Sequence, residues 1–265
     1  MKGLQICVFV LLFFVHQSAY AQWTQAPGEY YAKVQLGGAA GSQAFALDAE
    51  LIPVEDFAFY SLGLYGEVGI DENTTLGITG GLGTASYGEE STFYLTPFVI
   101  SASNQLYKSD HLAMASVAKF GFSAGVNSDD LSANPVLEFR TSTELAYLGE
   151  GILQIGINYG AFFSALSAGG RYHSAYGVDI LANLAIGYGF ENGIVPILSL
   201  NYNHALEKPT IVNITGTGAT RYFGLGLDVG WWMTDHVGLL VEVATAPYAV
   251  SNAGAPFIGI GMQFK

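Results

Sequence analysis

The chain has one cysteine in 265 residues, Cys7, so no disulfide can form within it. Charge is scarce as well. Asp, Glu, Lys and Arg make up 12% of the residues, against about 25% in an average soluble domain. That excludes intrinsic disorder, a coiled coil and an ordinary water-facing surface. Positive charge is scarcer still, with 9 Lys and Arg against 22 Asp and Glu. A nucleic-acid partner is therefore excluded, because phosphate binding needs a basic face. Long apolar runs are missing too. Beyond residue 22 no stretch approaches the ~18 uninterrupted apolar residues that a membrane-spanning helix requires.

The exception is the first 21 residues, which read as a secretory signal peptide. Lys2 supplies the positive start, Ile6 to Val15 the apolar run, and Ala19-Tyr20-Ala21 the small-residue cleavage site. Cleavage there removes Cys7 and Lys2, moves the net charge from −13 to −14, and leaves residues 22–265 as one exported domain. Without spanning helices, only a closed β-barrel can carry such a chain across a bilayer. In hydrocarbon every backbone N–H and C=O must find a partner within the protein.

A half-buried strand alternates apolar and polar side chains with period two, and the chain does so repeatedly. Tyr30, Ala32, Val34 and Leu36 alternate with Tyr31, Lys33 and Gln35. Leu62, Leu64, Val68 and Ile70 oppose Gly63, Tyr65, Glu67 and Gly69. The same pattern runs over 137–145, 153–162, 176–188 and 222–232. Short polar turns are expected at 71–73, 108–110, 149–151, 191–193 and 234–235, and longer connections near 38–55, 84–92, 124–135, 165–175, 204–218 and 246–255. Five short turns and six long loops imply an all-β, antiparallel up-and-down barrel of about 12 strands. Both termini then lie on the short-turn, periplasmic rim, with the longer loops extracellular.

Aromatics fall near the expected strand ends, where interfacial girdles belong. Tyr107, Tyr147, Tyr188, Phe190, Trp231, Trp232 and Phe264 flank short turns; Tyr60, Phe93, Phe122, Tyr202 and Phe257 flank long ones. Ile258, Ile260, Met262 and Phe264 alternate to the end of the chain, as a closing strand should. Pro97 and Pro196 fall inside expected strands. A closed barrel has no free edge for them, so bulges or strand ends are expected there. The apolar segment Ala44–Val54 is expected to fold into the mouth or touch lipid.

The inward-facing ionisable set includes Glu67, Lys119, Glu138, Arg140, Glu144, Asp179, Asp228 and Glu242, with Glu29 and Lys33. Two readings stand. In a wet lumen the excess of acid favours cations. In a tight lumen the charges form a paired plug, anchored by Arg140 between Glu138 and Glu144. Neither reading involves a cofactor. His173-Ser174 on an expected outer loop is a weak nucleophile–base pairing, and no His/Cys/Asp cluster has metal spacing.

Three segments carry a resemblance: Gln22–Tyr31, Leu64–Ile70, and Tyr222–Ala246 with Trp231-Trp232-Met233-Thr234-Asp235. With the closing Ala255-Pro256-Phe257, they resemble a family of outer-membrane β-barrel transporters grouped with the MetA-pathway phenol-degradation barrels. The resemblance implies passive uptake of small solutes, apolar or aromatic compounds among them. It also implies outer-membrane lipids and the barrel-insertion machinery as partners, and no enzymatic activity. The alternative is a closed structural or surface-adhesive barrel.

Overall fold

The computed structural model describes residues 24–123, 146–174, 177–208, 219–250 and 252–265. The expected signal peptide, the 124–135 loop and the 137–145 strand, with Glu138, Arg140 and Glu144, lie outside them. The strands are β1 (Tyr30–Phe45), β2 (Leu51–Gly69), β3 (Thr74–Tyr87), β4 (Glu90–Lys108), β5 (Leu112–Ser123), β6 (Ala146–Tyr159) and β7 (Phe162–His173). They continue as β8 (Gly177–Tyr188), β9 (Ile194–Ala205), β10 (Arg221–Trp232), β11 (Val237–Val250), β12 (Asn252–Ala253) and β13 (Phe257–Phe264). Each strand up to β11 pairs antiparallel with the next. β11 pairs with β13, and β13 pairs back onto β1, which also pairs with β2. The sheet is therefore closed. β12 and β13 are two pieces of one barrel strand, since both lie along β1, which makes the wall 12 strands.

Alternation sorts the side chains by face. Ile260, Leu198 and Ile100 are 58%, 52% and 53% exposed. Gln35, Gln154, Ser199, Asp228 and Glu242 are buried. Apolar residues outside and polar residues inside is the reverse of a water-soluble domain. An apolar exterior this broad is at rest only against hydrocarbon. The interior keeps two apolar clusters. At the end bearing the long connections, Phe57, Phe59 and Phe257 pack with Ala44 and Val54. The Ala44–Val54 segment does not fold into the mouth as a whole: it is the far end of the β1–β2 hairpin, paired Ala44 to Ile52 and Phe45 to Leu51, with Ala44 and Val54 turned inward and Leu47 and Leu51 exposed. At the opposite end Ile197 and Val195 pack with Phe163 and Trp232.

Several expected boundaries are corrected. Gly149-Glu150-Gly151 is not a turn but part of β6, and the turn lies at Gly160-Ala161, where Gly160 takes φ +62°. A Cβ on Gly149 or Gly151 would meet nothing within 4 Å, so these glycines are outward-facing strand residues. Residues 165–173, expected in a long loop, belong to β7. The loops expected at 38–55, 84–92 and 246–255 are mostly strand, since β1, β3 and β11 run on to Phe45, Tyr87 and Val250. β5 and β6 are separated by residues 124–145 and β9 and β10 by residues 206–220, most of which lie outside the described residues. Tyr147 accordingly sits at the long-connection rim, and Phe257 points inward, 2% exposed. Pro97 falls at a β-bulge in β4, where the register shifts opposite Thr79 and Gly81. Pro196 lies at the start of β9, one residue before pairing with β8 begins at Ile197.

The face assignment has a direct test. Ile260→Arg, an outward change, should lower the stability of the barrel refolded in lipid vesicles by about 2–4 kcal/mol if the site lies near the bilayer midplane. The readout is urea-dependent folding, and an unchanged midpoint would place Ile260 away from lipid.

Candidate functional site: a charged belt and a terminal strap in the barrel interior

Antiparallel register puts the side chains of directly opposed residues on one face about 5 Å apart. One such row runs around the interior. Lys119 of β5 opposes Glu150 of β6, Glu150 opposes Arg171 of β7, and Arg171 opposes Asp179 of β8. The signs alternate along four consecutive strands. Lys119 Nζ lies 2.7 Å from Glu150 Oε1. Arg171 donates from Nη2 at 2.5 Å and from Nε at 3.1 Å to Asp179 Oδ2. Arg171 Nη2 also donates to Asn203 Oδ1 at 3.2 Å, and Asn203 Nδ2 donates to the Thr220 carbonyl at 2.9 Å. Such charges leave water only when paired, because an isolated ion in low dielectric is far too costly.

The row extends past Lys119 through Ser101 and Gly77 to Glu67 of β2. Glu67 accepts from Tyr65 Oη and, at 2.6 Å, from Gln25 Nε2. On the other side of the barrel, Asp228 of β10 stands directly opposite Glu242 of β11, and both are buried. Gln35 Nε2 donates to Glu242 Oε2 at 2.6 Å, and Tyr31 Oη donates to Gln263 Oε1 at 3.2 Å. Five of the sequence-selected charges, Glu67, Lys119, Asp179, Asp228 and Glu242, thus occupy interior-facing strand positions. Glu138, Arg140 and Glu144 lie outside the described residues, and so does the ion-pair anchor expected at Arg140.

Sequence reasoning missed Arg171 and Glu150, the centre of the belt, because it placed Arg171 in a loop and Glu150 in a turn. Strict alternation was the available signal. Leu166, Ala168, Gly170 and Tyr172 form one face, and Ala165, Ser167, Gly169, Arg171 and His173 the other. Small residues on both faces weakened it.

A second feature narrows the rim that carries the termini. Residues 24–28 cross from β1 toward β4 along the inner edge. Thr24 N–H and Oγ1 donate to Gln105 Oε1 of β4, and Gln25 N–H donates to Thr75 Oγ1 of β3 at 2.8 Å. Gly28, at φ +80°, turns the chain into β1 and donates to the Gly69 carbonyl. A Cβ on Gly69 would lie 2.7 Å from the Ala26 carbonyl carbon, so only glycine lets the strap lie this close. Thr75 and Gln105 are buried beneath it, and Thr24 of the strap is itself buried.

Ser174 Oγ accepts the Tyr147 N–H at 2.8 Å at the rim, while His173 is buried in the interior. The two are not arranged as nucleophile and base. Among the described residues no three His, Cys, Asp or Glu side chains gather to hold a metal ion.

No protein-family model matches the chain, and no curated protein matches it in sequence. Solved structures do match. A COG4313 outer membrane channel from Pseudomonas putida F1 superposes with a TM-score of 0.70 at 12% identity, over 92% of this chain and 97% of that one. The NanC porin gives 0.59 at 8% identity, over 88% and 99%. The translocator domain of the autotransporter NalP from Neisseria meningitidis gives 0.55 at 15% identity, over 91% and 89%. At these identities the likeness establishes the fold, that of outer-membrane β-barrels.

The belt predicts an asymmetric mutational response. Arg171→Ala strands the Asp179 carboxylate and should destabilise the barrel by about 3–5 kcal/mol. The double change Arg171→Met with Asp179→Leu should recover most of that loss. Urea unfolding of the two variants decides it, and equal losses would mean that the pair is not a coupled unit.

Proposed function

We propose that this chain is a narrow, passive outer-membrane channel for small solutes, with apolar or aromatic compounds among them. The observation that carries the reading is a closed wall, apolar outside, whose interior is polar and rich in small residues. A wall of 12 strands lies between barrels that side chains fill and barrels that hold open water. The belt on β5–β8, the Asp228–Glu242 pair and the strap then set the width of the path. On this reading Glu67, Lys119, Glu150, Arg171, Asp179, Asp228 and Glu242 line it. The aromatic cluster of Phe57, Phe59 and Phe257 forms an apolar entrance suited to a solute with a greasy body.

The same reading includes export behind a cleaved segment 1–21 and assembly by the barrel-insertion machinery. The outward alternation of Ile258, Ile260 and Met262 on the last strand supports that assembly route. It describes a conduit, without a chemical step.

Single-channel recording in planar bilayers tests the proposal. The protein beginning at Gln22 should give a small conductance. A chain lacking residues 22–28 should conduct several-fold better, since nothing then crosses the terminal rim. Silence from both would leave the closed structural barrel as the better description. Equal conductance would show that the strap does not limit the path.

A further inference from the structure

The outer wall changes character where β9 and β10 meet the long connection between them. Tyr202, Phe223 and Tyr248 are successive register partners on β9, β10 and β11, and all three rings are exposed. Two positions nearer the rim, Arg221 of β10 stands directly opposite His204 of β9. Their neighbours Tyr222, Asn203 and Ala205 are buried in the interior, so Arg221 and His204 face outward. Among the described residues, no other strand arginine or lysine faces outward on this half of the wall.

Both side chains are held in place. Arg221 Nε donates to the Ala205 carbonyl at 3.0 Å, which lays the side chain over β9, and among the described residues the end of the guanidinium has no further hydrogen bond. The His204 ring stacks on Tyr202, with centroids 6.0 Å apart and planes 20° from parallel. The arrangement is a guanidinium and an imidazole side by side above a row of aromatic rings.

In a bilayer, aromatic rings with a polar edge settle where acyl chains meet headgroups. Arg221 and His204, one step further out, lie at the depth of the headgroup phosphates. Guanidinium offers phosphate two parallel hydrogen bonds, and the hydrocarbon on one side strengthens the attraction. The chain as a whole is acidic, at −13, so an arginine beside an imidazole here is a local complement and not a general attraction for anions.

We infer that this face seats the phosphate of an anionic lipid of the outer leaflet. Arg221 and His204 hold the phosphate, and the Tyr202–Phe223–Tyr248 shelf lies against the first segments of the acyl chains. The inference rests on the membrane-spanning reading above, but not on conduction.

Native mass spectrometry of the detergent-purified barrel tests it, with diphosphoryl lipid A as the probe and dephosphorylated lipid A and inorganic phosphate as comparisons. The wild type should retain diphosphoryl lipid A, retain the dephosphorylated form weakly, and not be stripped by inorganic phosphate. The pair His204→Ala with Arg221→Ala should cut retention roughly tenfold or more. Arg221→Lys, which keeps the charge but loses the paired N–H donors, should fall between the wild type and the double variant. Heat-modifiability on gels checks that each variant is folded. Equal retention of the dephosphorylated lipid, full competition by inorganic phosphate, or an unaffected double variant would each overturn the inference. Conductance of the same variants should be unchanged. A wild type that conducts nothing yet still holds lipid A through its phosphates would remove the channel reading and leave this one standing.

Discussion

Everything in this structure depends on β1 having two hydrogen-bonded neighbours. It pairs along β2 on one side and along β13 and β12 on the other. That double pairing removes the free edge, and with it the rows of unpaired N–H and C=O groups that hydrocarbon cannot accept. Once the wall is closed, each strand residue points either to lipid or to a confined interior. The period-two pattern then becomes a partition between two solvents. Apolar residues collect outside because hydrocarbon accepts them. Polar and charged residues are confined inside, where they must find one another. The belt, the Gln35–Glu242 contact and the strap are all consequences of that confinement.

Most of the fold was legible because this partition writes itself along the chain. The strands around 30–36, 60–70, 176–188 and 222–232 and four of the five short turns follow from alternation and polar turn residues. The errors over strand and turn share one physical cause. Glycine marks turns through its conformational freedom, and it also lets neighbouring strands and side chains pack closely. Gly169 serves the second purpose, since a Cβ there would lie 2.9 Å from the Gly151 carbonyl carbon, while Gly149 and Gly151 are outward strand positions with open space beside them. Reading these glycines as turn residues cost the sequence analysis two strand segments and the two charges at the centre of the belt. Loop lengths failed for a second reason. β2 and β4 each run 19 residues, beyond what a bilayer needs, and their projecting ends carry residues that also mark loops, Pro53, Glu55 and Asp56 on β2 and Glu90-Ser91-Thr92 on β4.

The interior site was only partly legible. Glu67, Lys119, Asp179, Asp228 and Glu242 follow from face alone. Their partners do not, because partnership depends on register between strands far apart in sequence. Gln35 and Glu242 meet across 207 residues, and no local pattern encodes that distance. The strap is a harder case. Thr24 and Gln25 carry no periodic signal, and their place is set by Gln105, Thr75 and Glu67 on three different strands.

The belt also bears on how the wall comes together. Lys119 and Glu150 belong to one hairpin, β5–β6, and Arg171 and Asp179 to the next, β7–β8. Each hairpin thus brings its cation with its own counter-ion. A pair of strands entering the bilayer as a unit carries no net luminal charge at that level, so neither has to wait for a distant strand to neutralise it. Electroneutrality is built in locally, two strands at a time, before the ring is complete.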